Sequence, residues 1–429
     1  MPDSRFLTRK CRIISIKFNF KLKYQIKEEI KVLLKGKNVV VGVTGGIAAY
    51  KAVEIVSRFK KLGANVYVIM TKSATEFVQP MTFQSISHNP VVVEMFGRAQ
   101  YWDVEHISLA DKADLFLIAP ATANIIAKIK NGIADDMLST TVMATKGKVV
   151  LAPAMNVNMY HNPIVQENMD YLRKRGYKII EADAGYLACG YEGRGRLPDP
   201  KEIVATSTAV LLAEGEDLLG KKVLITAGGT KEALDPVRFL ANHSSGKMGY
   251  ALARMAVARG AEVTLISAPS NLAKPKGVKL IGVKTAAQMS ETVFQIKEEQ
   301  DIIIMAAAVA DYRPKEFSTT KIKKKDGDWL IELERTEDIL ARLGKQRGKE
   351  ILVGFAAESD NLVENAKNKL KRKQADLIVA NDISVNETGF ASDDNQVIII
   401  GDGIEVSLAK ADKLEIAKGI LDEITKLLN

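Results

Sequence analysis

KNVVVGVTGGIAAYK at residues 37–51 and KKVLITAGGTKEALDPVRF at residues 221–239 open two halves of the chain in the same way. In each, a short apolar run ends in a glycine pair, Gly45-Gly46 or Gly228-Gly229. A buried-type strand running into such a turn starts an α/β unit, and the backbone N–H groups of the turn point at an anion. Two such starts predict two units, each with a phosphate-bearing ligand. Neither reads G-x-G-x-x-G, so the dinucleotide fingerprint is not met.

Working outward, strand and helix patterns alternate. Strands are expected at 39–43, 66–70, 115–119 and 149–152, with a helix over 48–62 that stops at Gly63. After a helix-like stretch at about 201–220 the pattern restarts, with strands at 223–226, 263–267, 301–306, 352–355 and 377–380. KIKKKDGDWLIELE (321–334) reads as a hairpin turning at Asp326-Gly327, and 391–406 as a strand pair turning at Gly401-Asp402-Gly403. Such alternation implies mostly parallel sheets with helices on both faces and ligands at the carboxyl ends of the strands. The expected organisation is an extension at 1–36, a first domain at 37–216 and a second at 217–429. The opening turns alone resemble each other, which is not an internal repeat.

The 429 residues carry a net charge of +9, which suggests nucleic acid until it is located. Residues 1–36 hold ten Lys/Arg against three Asp/Glu, so most of the excess lies in the extension. That segment lacks the uninterrupted apolar region of a secretory signal and reads as a solvated, partly helical extension or an over-called start. No apolar run approaches the ~18 residues of a membrane span. Cys11 and Cys189 are the only cysteines, which excludes a disulfide framework and fits the cytoplasm. Four histidines, His88, His106, His161 and His243, leave few candidates for imidazole chemistry.

In the first half, Thr71 and Ser73 follow a strand, where they suit a phosphate monoester and equally a helix cap. Ala121, Thr122 and Asn124 form a small polar loop entering a helix, which lets a flat ring or phosphate approach. His106 heads a helix, Asn156 follows Pro-Ala-Met, and Cys189 sits in a loop with Gly190, Gly193 and Gly195 that could act as a lid. GVTGGIAAYK, EHISL, PATAN, ADDML, PAMNVNMY and ACGYEGRGR, in that order, resemble the FMN-dependent phosphopantothenoylcysteine decarboxylases over about residues 37–210. The resemblance implies FMN at Gly45, Gly46, Ile47, Thr71, Ser73, Ala121, Thr122 and Asn124. It further implies that the cysteinyl substrate is oxidised to a thioaldehyde, loses carbon dioxide and is reduced again. His106 would be the acid/base of the oxidation, Asn156 would hold the departing carboxylate, and Cys189 would protonate the enethiol. Tyr160 stands where the family often has Trp, and keeps an aromatic wall.

In the second half, Asn242-His243-Ser244-Ser245-Gly246-Lys247 leads into a helix, which suits a phosphate or carboxylate. Met248 after Lys247 breaks the Walker A pattern. ITAGGT, DPVRF, NHSSGKMG, AAVADYR, KIKK, VGFAAE and DLIVAND together resemble the phosphopantothenate–cysteine ligases, from residue 221 to the end. The resemblance implies that CTP activates 4′-phosphopantothenate as an acyl-cytidylate and that cysteine displaces CMP. The nucleotide would meet Gly228, Gly229, Asp311, Lys321, Glu337, Asp338, Ile339, Leu340, Phe355, Lys369 and Lys373. Lys321 would neutralise charge at the attacked phosphoryl group, Asn242 would hold the acyl-cytidylate, and Arg238 would assist the second half-reaction. Thr336-Glu337 stands where the family shows Asn-Pro.

The expected fold is α/β, two doubly wound Rossmann-like domains: a flavodoxin-like flavoprotein domain, then a ligase domain with an added β-hairpin region. The expected function is two consecutive steps of coenzyme A biosynthesis, ligation then decarboxylation to 4′-phosphopantetheine, with FMN and Mg²⁺ and with CTP as co-substrate. No metal ligand is assigned. The resemblance implies a homo-oligomer, trimeric through the flavin halves and dimeric through the ligase halves, with small-molecule substrates and no nucleic acid or membrane. Two alternatives remain: another flavoprotein chemistry, such as prenyl transfer or peptidyl-cysteine decarboxylation, or an inactive regulatory homologue.

Overall fold

The computed structural model describes residues 33–96, 105–187, 190–324, 327–358, 361–382 and 392–428. Cys189, the Asp326 turn position and nearly all of the basic extension lie outside them. The end of that extension is packed: Leu34 is fully buried and its N–H donates to the Leu62 carbonyl at 2.8 Å.

The first sheet contains β1 (Asn38–Val43), β2 (Asn65–Met70), β3 (Val91–Val92), β4 (Leu115–Ala121), β5 (Lys148–Pro153) and β6 (Lys178–Ile179). Its order is β3-β2-β1-β4-β5-β6, and every pairing is parallel. Without the two-residue edge strand β3, the order is the flavodoxin one; with it, the dinucleotide-fold one. The β4 strand is buried along its whole length, which is why it reads as an unbroken apolar run. Strands β7 (Asp183–Tyr186) and β8 (Glu192–Arg196) pair antiparallel. The glycine-rich stretch expected as a loop is therefore, at residues 192–196, the returning strand of a hairpin.

The second sheet has β9 (Lys222–Ala227), β12 (Glu262–Ser267), β13 (Val278–Gly282), β14 (Ile302–Met305), β17 (Ile351–Glu358), β18 (Leu377–Asp382), β19 (Asp394–Gly401) and β20 (Ile404–Asp412). Its order is β13-β12-β9-β14-β17-β18-β19-β20. The six parallel strands repeat the winding of the first sheet, and β19 and β20 add the antiparallel hairpin. Two short ribbons lie apart: β10 (Lys231–Ala233) with β11 (Phe239–Ala241), and β15 (Tyr312–Pro314) with β16 (Leu333–Arg335). The latter corrects the expected local hairpin at 321–334. Leu333–Arg335 pairs with Tyr312–Pro314 instead, because the Asp311 carbonyl accepts from Thr336 N–H at 3.0 Å and ties the two strands at their base.

Helix Pro200–Leu212 joins the halves and packs on helices Ala49–Lys61 and Lys247–Ala258. Glu202 accepts two hydrogen bonds from Arg254, at 2.6 and 2.9 Å, with both side chains largely buried. Removing one member of a buried pair strands the other charge. Glu202→Ala is expected to destabilise the chain by about 3–5 kcal/mol in urea unfolding. Glu202→Gln, which keeps an acceptor, should lose less.

Candidate functional site

Both sheets present their loops at the carboxyl ends of the parallel strands. In the first, Thr44 Oγ1 donates to the Pro120 carbonyl at 2.7 Å and accepts from Thr122 N–H at 3.2 Å, which ties the ends of β1 and β4. A Cβ added at Gly45 would lie 2.4 Å from Ser73 Cβ, so only glycine lets the β1 turn sit on the start of the short helix after β2. The Gly45-Gly46, Thr71–Ser73 and Thr122–Asn124 turns thus share one edge, with Ile47, Ser73 and Asn124 exposed. Thr71 Oγ1 is buried with no hydrogen-bond partner among the described residues. A buried hydroxyl without a partner is costly, and a ligand oxygen would satisfy it.

Asn156 follows β5. Its Oδ1 accepts from Asn158 N–H at 2.8 Å and so orients the amide. The β7–β8 hairpin lies directly against it. Met155 N–H donates to the Gly195 carbonyl at 2.9 Å, and a Cβ at Gly195 would stand 2.3 Å from the Met155 carbonyl oxygen. The returning strand β8 of the hairpin is therefore packed against the backbone of Met155 and Asn156; Cys189 lies outside the described residues. His106 is half-buried on helix Glu105–Lys112 before β4. Tyr160 is buried; burial and a 2.5 Å hydrogen bond to Glu181 push its phenol up to about 12.

In the second unit the loops enclose a chamber of about 700 Å³. Its floor is the exit of β14 and the end of β17, with Asp311 and Phe355. One wall is Asn242–Lys247 at the start of helix Lys247–Ala258; another is Thr336–Leu340; helix Leu362–Lys373 supplies Lys369, Arg372 and Lys373. The Gly228-Gly229 turn lies beneath rather than in the lining. Thr230 N–H donates to the Ala308 carbonyl and Ala308 N–H to the Gly228 carbonyl, at 3.3 and 2.8 Å. A Cβ at Gly229 would meet the Asn242 carbonyl oxygen at 2.8 Å. The turn therefore carries Asn242 over the floor, where its Nδ2 donates to the Val309 carbonyl at 3.1 Å.

At the other end, Asp338 caps helix Ile339–Lys345 and pairs with Lys373, while Lys369 Nζ donates to the Phe355 carbonyl at 2.8 Å. Burial holds the Lys373 ammonium below the usual lysine value, partly offset by Asp311. Ile339 and Leu340 border the chamber and are buried in the core behind it. Glu337 borders the chamber, but its carboxylate is engaged elsewhere, accepting from Ser290 at 2.5 Å and Arg342 at 3.0 Å.

Besides the Gly228-Gly229 turn, two more expected residues are not brought into this chamber. Lys321 is exposed, and Arg238 donates to the Ile322 carbonyl at 3.1 Å and lies over Trp329. Lys321 belongs to the arm between β15 and β16, which leaves the sheet, and Arg238, from the turn between β10 and β11, packs against that arm. Conversely, Arg372, Asn395 and Lys413 line the chamber although no motif marked them, and Asn381 of DLIVAND lines it without having been assigned a role. Lys413 and Asn395 come from the terminal hairpin and helix, whose pattern reads only as structure.

Residues 27–212 match the family described as Flavoprotein, and residues 218–428 the family described as DNA/pantothenate metabolism flavoprotein C-terminal domain. The chain is 49% identical to the coenzyme A biosynthesis bifunctional protein CoaBC of Bacillus subtilis (strain 168) over 398 residues, 92% of this chain and 98% of that one. The chain belongs to the CoaBC family. The CoaBC of Escherichia coli (strain K12) is 42% identical over 395 residues, 91% of this chain and 97% of that one. A crystal structure of the C-terminal domain of a CoaBC is 45% identical, covering 50% of this chain and 98% of its own, with a TM-score of 0.44. The FMN binding protein AtHal3 is 28% identical over 40% of this chain and 95% of its own, with a TM-score of 0.36. Membership in the CoaBC family accounts for the two-sheet organisation.

Proposed function

We propose that the second half joins 4′-phosphopantothenate to cysteine with CTP, and that the first half decarboxylates the product with FMN. The observation that carries this reading is the chamber, which gathers the Asn242 wall and the Lys369 and Lys373 wall across a floor that holds Phe355. Two ligands must meet there. The acid's carboxylate attacks the α-phosphorus of CTP and pyrophosphate leaves; the cysteine amine then attacks the acyl carbon and CMP leaves. The Asn242 amide is placed to donate to the acyl-cytidylate. The N-terminus of helix Lys247–Ala258, with Ser244, Ser245 and Lys247, suits the phosphate of the acid. Phe355 offers a face for the base, and Lys369 and Lys373 offer charge for the triphosphate.

Among the described residues no three His, Cys, Asp or Glu side chains form a metal cluster. Mg²⁺ would enter on the triphosphate, as such ions commonly do, with Asp311 among the carboxylates that border the chamber. Lys321 and Arg238 enter this reading through a second copy. The arm that carries Lys321 and packs on Arg238 exposes Trp329, Leu330 and Leu333, with Leu330 91% exposed, an apolar surface that supports pairing of ligase halves. Ile47 and Tyr50 beside the Gly45-Gly46 turn are likewise exposed and support association of the flavin halves as trimers. No helix among the described residues is long and apolar enough to cross a membrane, and action in the cytoplasm is proposed.

The first edge fits FMN: the partnerless Thr71 hydroxyl, Ser73, Thr122 and the open space at Gly46 suit its phosphate and ring. When bound, the flavin supplies the reversible hydride acceptance that a cysteine carboxylate otherwise lacks. The Asn156 amide would orient the carboxylate, His106 would move the proton of the oxidation step, and Cys189 would return one to the enethiol. Gly45→Ala forces the turn off Ser73 and is expected to yield colourless protein. A yellow Gly45→Ala protein with full flavin would refute that placement. The reading as a whole is tested by supplying 4′-phosphopantothenate and cysteine with CTP or ATP, and following pyrophosphate and carbon dioxide. Release of neither overturns it.

A further inference from the structure

Lys413 opens helix Lys413–Lys426 and is 8% exposed, yet it lines the chamber. Its Nζ donates to the Ser392 carbonyl and, at 3.0 Å, to the Asp394 carbonyl. A buried ammonium is tolerated only when hydrogen-bonded, so these contacts pin residues 392–394. Asp393 stands between the two carbonyls, and its Oδ1 lies 2.6 Å from Lys247 Nζ. That hydrogen bond holds the Asp393 carboxyl below its ordinary value, and burial together with Lys247 draws the Lys413 ammonium down. Lys247 is the first residue of the helix whose N-terminus walls the chamber. Lys247 is thus held by the Asp393 carboxylate at a helix N-terminus, with Lys413 anchoring the backbone on either side of Asp393. The Asp394 and Asp412 carboxylates lie near Lys413, so the pull on an anion comes from the helix N-terminus and the Lys247 ammonium.

We propose that Lys413 and Asp393 are positioning residues, which hold the Lys247 ammonium at the end of the chamber that receives the phosphate monoester of the acid substrate. This rests on the ligase reading of the chamber. Lys413 acts through the 392–394 backbone, and Asp393 acts through its ion pair. The effect is confined to ligands that carry the phosphate, which a loss of folding would not be.

Calorimetric binding of 4′-phosphopantothenate and of pantothenate to the full chain separates these. Lys413→Met is expected to weaken 4′-phosphopantothenate binding by about tenfold, the scale of a charge-assisted hydrogen bond. Asp393→Asn should weaken it by about threefold, the scale of an exposed ion pair, because the Asp393 side chain is 84% exposed. Pantothenate binding should not change in either, and Lys413→Arg should restore most of the loss. Asp393→Asn leaves the core untouched and so tests the relay even if Lys413→Met folds poorly. An equal loss for both ligands, or no loss in Asp393→Asn and Lys413→Met, overturns the inference. The same preparations are assayed for CTP-dependent product. Phosphate-selective binding without product in the unmodified protein would sink the ligase reading and leave the relay standing.

Discussion

Asn242→Asp is expected to lower ligation by about 10²–10³-fold, the loss typical of a donor aimed at developing charge. The backbone at this position is held from below by the Gly229 turn, so the side chain stays where it is. Its Nδ2 now donates to the Val309 carbonyl at 3.1 Å. An aspartate oxygen in that place faces a carbonyl oxygen, and the added charge repels both the acid and the triphosphate. Asn242 is exposed, so the cost falls on catalysis rather than on folding. The check is cysteine incorporation and pyrophosphate release, beside carbon dioxide release from phosphopantothenoylcysteine supplied directly. Ligation should fail while decarboxylation continues. Unchanged cysteine incorporation would remove Asn242 from the mechanism.

Asn156→Asp should do the opposite: decarboxylation falls by about 10²–10³-fold while ligation is retained. Asn156 caps helix Val157–His161 through its Oδ1, and Asp serves as well in that position. The cap and the packing of the β7–β8 hairpin therefore survive, and the protein should stay yellow. Only the donor is lost, and a carboxylate then meets the carboxylate that must leave. Carbon dioxide release at the unaltered rate in a flavin-loaded variant would show that the Asn156 amide takes no part.

The elements that sequence reading recovered depend on neighbours. The strands around 39–43 and 223–226, the glycine turns after them and the helix ending at Gly63 follow from side-chain period and backbone freedom within a few residues. The hairpin expected at 321–334 failed for the same reason. Its turn signal was local, whereas Leu333–Arg335 found its partner some twenty residues back, where the Asp311–Thr336 contact closes the arm. Glu337 shows the same limit: its place beside the chamber follows from the chain, but Ser290 and Arg342 decide where its carboxylate goes.

By itself, the order of residues determined that there are two α/β units, where the first strand of each lies, and which short motifs lie at their strand ends, because those features are written in local pattern. The tertiary structure decided that both parallel sheets wind in the same order, although only the opening turns look alike. It also decided that Asn242, Phe355 and Lys413 border one chamber while Lys321 stands outside it. Strand order and register bring together residues more than a hundred positions apart, and packing of the whole sheet, which no window of sequence contains, selects them.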